Sequence, residues 1–112
     1  MLRTKDLKGT ISFYRKDLGF ACDALSEQDG WALLSRDAVE LMVATPNVHV
    51  PFDAPAFTGS FYFNVDDVDA LWALLKDRAR IAYPIENFDY GMREFAIYDN
   101  NGYMLQFGSP LQ

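Results

Sequence analysis

The sequence holds one cysteine, one histidine and no long apolar run. Each scarcity removes a class of protein. With Cys22 alone no internal disulfide can form, and the pattern fits a reducing, cytoplasmic setting. Cys22 itself reads as a small, half-buried hydrophobe on a strand. No stretch of about 18 apolar residues occurs, so no membrane-spanning helix is expected. The opening residues, Met1-Leu2-Arg3-Thr4-Lys5-Asp6, lack the apolar core of a secretory signal. Basic residues are also few, ten Lys and Arg against sixteen Asp and Glu, for a net charge of −6 and a pI near 4.5. They form no dense cluster, and nucleic-acid binding needs a basic footprint, so that class is set aside. An acidic surface steers cationic ligands inward, although solubility alone accounts for the same charge.

What is present is core material. Half of the 112 residues are hydrophobic and 15% are aromatic, enough for one compact domain and too short for two independent ones. The most informative stretch is residues 88–108. Asp99-Asn100-Asn101-Gly102 supplies turn residues that tolerate positive φ, with a β-rich run on each side, so a hairpin is expected. Phe95 and Ile97 alternate with Glu94, Ala96 and Tyr98. Tyr103, Leu105 and Phe107 alternate with Met104, Gln106 and Gly108. Alternate side chains point to opposite faces, which gives each strand one apolar and one mixed face. The apolar face calls for a helix; the mixed face is free to line a cavity.

Earlier in the chain, a short strand over residues 1–4 leads to Asp6 as a helix N-cap. Leu7, Ile11, Tyr14 and Leu18 then share one helical face, and Gly19 stands where a helix-ending glycine belongs. Strands follow over residues 20–25, 31–35 and 39–44. Residues 46–57, with Pro46, Pro51 and Pro55, read as a linker. The order then repeats. A strand covers 60–65, Asp66 or Asp67 caps a helix to about Ala79, and Val68, Leu71, Leu75 and Ala79 form its apolar face. A weakly marked strand over 81–84 precedes the hairpin. The whole reads as one α+β domain, residues 1–112, built from two βαβββ units at 1–45 and 58–109.

With the repeat in place, the sequence resembles the vicinal oxygen chelate superfamily, which includes glyoxalase I, extradiol dioxygenases, fosfomycin-resistance enzymes and bleomycin-resistance proteins. The resemblance is carried by Phe13-Tyr14-Arg15-Lys16-Asp17-Leu18-Gly19-Phe20, Val39-Glu40-Leu41-Met42 and Asp99-Asn100-Asn101-Gly102-Tyr103. It implies two βαβββ units whose mixed sheets curl into a cup, a small-molecule ligand, and a homodimer sharing the cup between chains. Enzymes of the superfamily hold a divalent metal such as Ni, Zn, Mn or Fe at set strand positions. The first of these falls four residues before Arg3, ahead of Met1; the others match Glu40, Ser60 and Gln106. Only Glu40 is a usual ligand at its usual place, with Gln106 a weak one, and His49 lies in the linker. Three or four fixed ligands are needed, so no metal cofactor and no catalytic residue are expected. The alternative is a glyoxalase-type lyase or extradiol-type dioxygenase with an altered site using Glu40 and Gln106.

The bleomycin-resistance branch is the nearer likeness. Tyr90-Gly91-Met92-Arg93-Glu94-Phe95 resembles its Trp-Gly-x-Arg-Glu-Phe segment, whose aromatic residue stacks on the drug. The resemblance thus implies a metal-free protein that sequesters an antibiotic-like, flat or cationic molecule. Alternation places Ser60, Tyr62 and Asn64 in the cup, with Phe61, Phe63 and Val65 toward the helix. Glu40 with Met42, and Glu94, Ala96, Tyr98, Met104 and Gln106, complete the mixed surface, which suits a small-molecule pocket. Arg3 matches an arginine that holds a substrate carboxylate in glyoxalase I. Trp31 is assigned to the cup although the pattern leaves its orientation open. Bland readings stand beside these: Tyr90 as a turn residue ahead of Gly91, Arg93 and Glu94 as an ion pair, Glu40 as ordinary strand sequence, His49 as a solvent-facing loop residue.

Overall fold

In the computed structural model, which describes residues 1–46, 52–55 and 59–111, the chain divides into two compact units, Met1–Pro55 and Ala56–Gln112. His49 and most of the expected linker lie outside the described residues. Unit 1 contains β1 (Leu2–Arg3), α1 (Leu7–Lys16), β2 (Ala21–Ser26), β3 (Trp31–Arg36) and β4 (Val39–Ala44). Unit 2 contains β5 (Phe61–Asn64), α2 (Val68–Leu75), β6 (Arg80–Phe88), β7 (Met92–Tyr98) and β8 (Met104–Pro110). Each unit is a four-stranded mixed sheet, ordered β1-β4-β3-β2 and β5-β8-β7-β6. In each, the first strand runs parallel to the last and the other pairings are antiparallel. The expected α+β repeat of βαβββ units is present.

The helix starts follow from their caps. The Asp6 and Asp67 carboxylates accept the backbone N–H of Gly9 at 2.9 Å and of Ala70 at 3.1 Å, meeting donors that a first helical turn leaves unpaired. Helix α1 ends at a left-handed Gly19 (φ 73°), where Gly19 and Phe20 donate back to the Arg15 and Tyr14 carbonyls. Helix α2 is shorter than expected. It ends at Leu75, and Ala79 closes a turn onto the Leu75 carbonyl instead of extending the apolar face. The buried face of α1 also differs: Thr10 and Tyr14 are buried, whereas Ile11 is half-buried. Thr10 is accommodated because its hydroxyl contacts that of Thr4 at 2.8 Å and donates to the Asp6 carbonyl at 2.7 Å, so no buried polar atom is left unpaired.

In unit 2 the apolar strand face and α2 form the core. Phe95, Ile97, Leu105, Leu75 and Val68 are buried. Stacked rings run from Phe63 to Phe107 (5.3 Å) and on to Phe95 (5.4 Å), which meets Trp72 of α2 at 5.2 Å. Strand β6 is much longer than residues 81–84. It carries two register irregularities, between Ile81 and Tyr83 and between Tyr83 and Glu86, which erase the period-two signal. Its place at the sheet edge tolerates Pro84. The β7–β8 turn is held by Asp99, whose carboxylate accepts the N–H groups of Asn101 and Tyr103, each at 2.9 Å. Of its residues only Gly102 adopts positive φ (98°).

Asp99 is buried, so Asp99→Ala strands two backbone donors, at a cost of about 1–3 kcal/mol. The expected result is a lower urea midpoint with an unchanged slope; a midpoint equal to that of the wild type would contradict the role given to this turn.

Candidate functional site

Strand register determines which side chains meet on the open face of the unit 2 sheet. The pairs Glu94↔Gly108, Ala96↔Gln106 and Tyr98↔Met104 link β7 to β8, and Tyr62↔Gln106 and Asn64↔Gly108 link β5 to β8. Opposed residues share a face. Glu94, Ala96, Tyr98, Met104, Gln106, Tyr62 and Asn64 therefore lie together, opposite the phenylalanine core.

At the centre is Glu94, 1% exposed in spite of its charge. Its Oε1 accepts the Tyr62 hydroxyl at 3.0 Å and also the Tyr90 hydroxyl. Its Oε2 accepts the Tyr83 hydroxyl and, at 3.5 Å, the Gln106 amide. That amide also donates to the Tyr83 oxygen at 2.8 Å, and its carbonyl accepts the Ser60 hydroxyl. Gly108 makes the arrangement possible. A Cβ there would overlap the Tyr62 hydroxyl and stand 2.9 Å from its ring carbon Cζ. The missing side chain lets the phenol cross β8 to reach the carboxylate.

Tyr90 differs from the other two phenols. It sits in the turn closed by the Gly91 N–H to the Phe88 carbonyl, 3.1 Å, with Gly91 at φ 82°. Its ring stacks on Phe88 at 5.5 Å, yet the residue is 62% exposed. Tyr90 is thus the turn residue ahead of Gly91, with its ring exposed.

The remaining residues singled out from sequence are placed as follows. Asn64 is exposed beside the cluster, and Tyr98 lies under the Arg80 guanidinium at 4.8 Å. Arg93 does not pair with Glu94, because adjacent strand residues face opposite ways. It bonds Asp69 and Asn87, each at 2.9 Å, on the other side. In unit 1, the pairs Arg3↔Ala44, Trp31↔Ala44, Leu33↔Met42 and Ser35↔Glu40 put Arg3, Trp31, Glu40 and Met42 on one sheet face. The opposite face carries the fully buried Ala32, Leu34 and Val43. The Arg3 guanidinium donates to the Thr45 carbonyl at 3.2 Å, and Glu40 is exposed. Tyr83, Phe88 and Gly108 were not singled out as site residues. Tyr83 and Phe88 lie on the irregular β6, where alternation fails, and Gly108 acts through its lack of a side chain.

The donor set does not fit a transition metal within either unit. Among the described residues no three His, Cys, Asp or Glu could hold one. Glu40 faces Ser35 and follows Val39 on its strand, while the Gln106 amide is engaged with Ser60, Tyr83 and Glu94.

Electrostatics keep the phenols protonated. Burial first, and then the hydrogen bond to Glu94, pushes Tyr62 and Tyr83 up to about 12. The bond to Glu94 is the main reason that Tyr90 is raised too. Free tyrosine ionises near 10. Because the folded values are the higher ones, the stability these groups contribute is intact below about pH 10 and is lost as pH climbs toward about 12. Phenolate absorbance should therefore show a late-ionising fraction in the wild type that shrinks in Glu94→Gln. Identical titration curves would contradict the assigned bonds.

Comparison with known proteins supplies the family. The model of the Glyoxalase/Bleomycin resistance protein/Dioxygenase superfamily matches residues 1–107. Similar solved structures include a glyoxalase/bleomycin resistance protein/dioxygenase from Nocardioides, with TM-score 0.79, 18% identity, and coverage of 99% of this chain and 80% of that one. TioX from Micromonospora sp. ML1 gives TM-score 0.79 and 20% identity, covering 98% and 94%. A lactoylglutathione lyase from Agrobacterium tumefaciens gives TM-score 0.72 and 19% identity, covering 97% and 92%. At these identities the likeness concerns the fold. No curated protein sequence matches the chain. On the match of nearly its whole length, the chain belongs to the glyoxalase/bleomycin resistance protein/dioxygenase superfamily.

Proposed function

We propose that this protein binds a small organic molecule on the open sheet face of unit 2, without a metal, and acts by stoichiometric sequestration as bleomycin-resistance proteins do. The observation that carries the reading is the Glu94 cluster: a buried carboxylate ringed by three phenols, with the exposed Tyr90 ring beside it. Aromatic walls around a few convergent polar groups are the usual make-up of a small-molecule site. The Tyr90 ring, backed by Phe88, offers a π surface for a flat or cationic group. Phenols held above their ordinary pKa are poor bases at neutral pH, which favours holding a ligand over transforming it. The same reading takes the protein to be a homodimer, as the family resemblance implies, and cytoplasmic, in line with a single cysteine. No helix among the described residues is long and apolar enough to cross a membrane.

Two measurements follow. A ligand that binds the folded state alone raises the melting temperature by mass action. Flat aromatic and cationic antibiotics should include at least one that does so, and Tyr90→Ala should weaken it by roughly tenfold, the worth of one aromatic stack at about 1.4 kcal/mol. An unchanged affinity would remove Tyr90 from the site. Adding Ni, Zn, Mn or Fe(II) should leave the melting temperature of the untagged protein unmoved. A clear rise would instead favour the metal-dependent lyase or dioxygenase reading built on Glu40 and Gln106.

A further inference from the structure

The Glu94 carboxylate is buried, yet no cation among the described residues pairs with it. The Lys and Arg residues of unit 2 are Lys76, Arg78, Arg80 and Arg93. Arg93 is committed to Asp69 on the far side of the sheet. Arg80 lies over Tyr98, and Lys76 and Arg78 follow helix α2. Taking a carboxylate out of water is costly unless a countercharge and hydrogen bonds compensate it. The phenols supply the hydrogen bonds but no charge. Negative charge is instead added nearby, because the exposed Glu86 stands directly across from Glu94 in the β6–β7 register. Like charges so opposed are unfavourable until something positive arrives.

The donors around Glu94 are also unequally held. Tyr83 shares its oxygen with Gln106, which is tied in turn to Ser60. Tyr62 lies across Gly108. Tyr90 alone of the three is mostly in solvent, on a turn, so its hydroxyl can leave Oε1 by rotating a side chain whose one ring contact among the described residues is Phe88. Its departure would free one acceptor position on Oε1, which keeps the Tyr62 hydroxyl, beside a run of aromatic rings, since Tyr83 and Phe88 also meet edge to face at 5.6 Å.

We propose that Glu94 is the seat of a protonated amine, whose ammonium group replaces the Tyr90 hydroxyl at Oε1. The proposal rests on the binding-protein reading above and names the ligand class. The bond it displaces already has an ionised acceptor; what the ammonium adds is the countercharge that the phenols lack, and the neighbouring rings favour a cation. The geometry selects among cations as well. A guanidinium or amidinium fork binds best across both carboxylate oxygens, and Oε2 stays occupied by Tyr83 and Gln106. A quaternary ammonium carries the charge but has no proton to donate.

The test uses the full chain and four single-ring probes, with affinities read by calorimetry: benzylamine, benzyl alcohol, benzamidine and benzyltrimethylammonium. Benzylamine should bind at least tenfold more tightly than each of the other three. Glu94→Gln should abolish that preference, and Tyr90→Phe, which keeps the ring and removes the competing hydroxyl, should tighten benzylamine several-fold. Circular dichroism of both variants establishes that they fold. Benzyl alcohol bound as well as benzylamine would overturn the ammonium seat and leave small-molecule binding standing. A preference that survives in Glu94→Gln, or benzylamine binding unchanged in folded Tyr90→Phe, would overturn the seat or the displacement. A protein that bound neither the probes nor any antibiotic would remove both readings.

Discussion

A carboxylate withdrawn from water in the middle of a strand is the constraint around which unit 2 is arranged. Glu94 occupies a position where its two strand neighbours, Arg93 and Phe95, face the other way. The charge therefore has to be met from across the sheet. It is met by one residue from each adjoining part: Tyr62 from β5, Tyr83 from β6, Gln106 from β8 and Tyr90 from the turn. Every group presents a donor, which is the arrangement an acceptor-only carboxylate requires. Removing any partner leaves a buried acceptor short of a hydrogen bond, and such deficits are costly in proportion to burial. The cluster is consequently both a structural clasp on four chain segments and a chemically distinctive surface.

The apolar half of the sheet makes that clasp possible. Phe63, Phe107 and Phe95 stack through the sheet onto Trp72, and α2 closes over them. The strands are held rigid from below while polar groups converge above. Unit 1 repeats the scaffold with different contents. Its open face carries Arg3, Trp31, Glu40 and Met42, and its buried polar pair, Thr4 and Thr10, lies on the helix side instead. The same βαβββ frame thus carries a concentrated acidic and phenolic cluster in one copy and a dispersed surface in the other. At metal positions implied by the family, this chain offers Glu40, Ser60 and Gln106. The last two are hydrogen-bonded to each other within the cluster, and Gln106 also bonds Tyr83 and Glu94.

Much of this was legible in the sequence, for identifiable reasons. Asp6, Asp67 and Gly19 announce helix ends because capping chemistry is local. Strand alternation correctly groups Tyr62, Glu94 and Gln106, because a period of two leaves no choice of face once one residue is oriented. What failed did so where a second interaction overrode the pattern. Thr10 is buried in preference to Ile11, because Thr4 and the Asp6 carbonyl satisfy its hydroxyl. Strand β6 was nearly invisible, because two register shifts and Pro84 break its periodicity, and Tyr83 was hidden with it. The role of Gly108 is a matter of space between two strands, which no single segment reveals. Tyr90 stands out in the sequence only through resemblance, and its hydroxyl bond to a residue four positions on exists only in the folded turn.

The most direct measurement is carbon NMR of the protein labelled at glutamate side-chain carboxyls, with the Glu94 resonance assigned by its loss in Glu94→Gln. Adding benzylamine should move that resonance, together with the ring signals of Tyr90, while the resonances of exposed glutamates such as Glu27 and Glu40 move little. A Glu94 resonance that stays fixed at saturating amine, while others shift, would contradict the placing of the ligand's charge on the buried carboxylate.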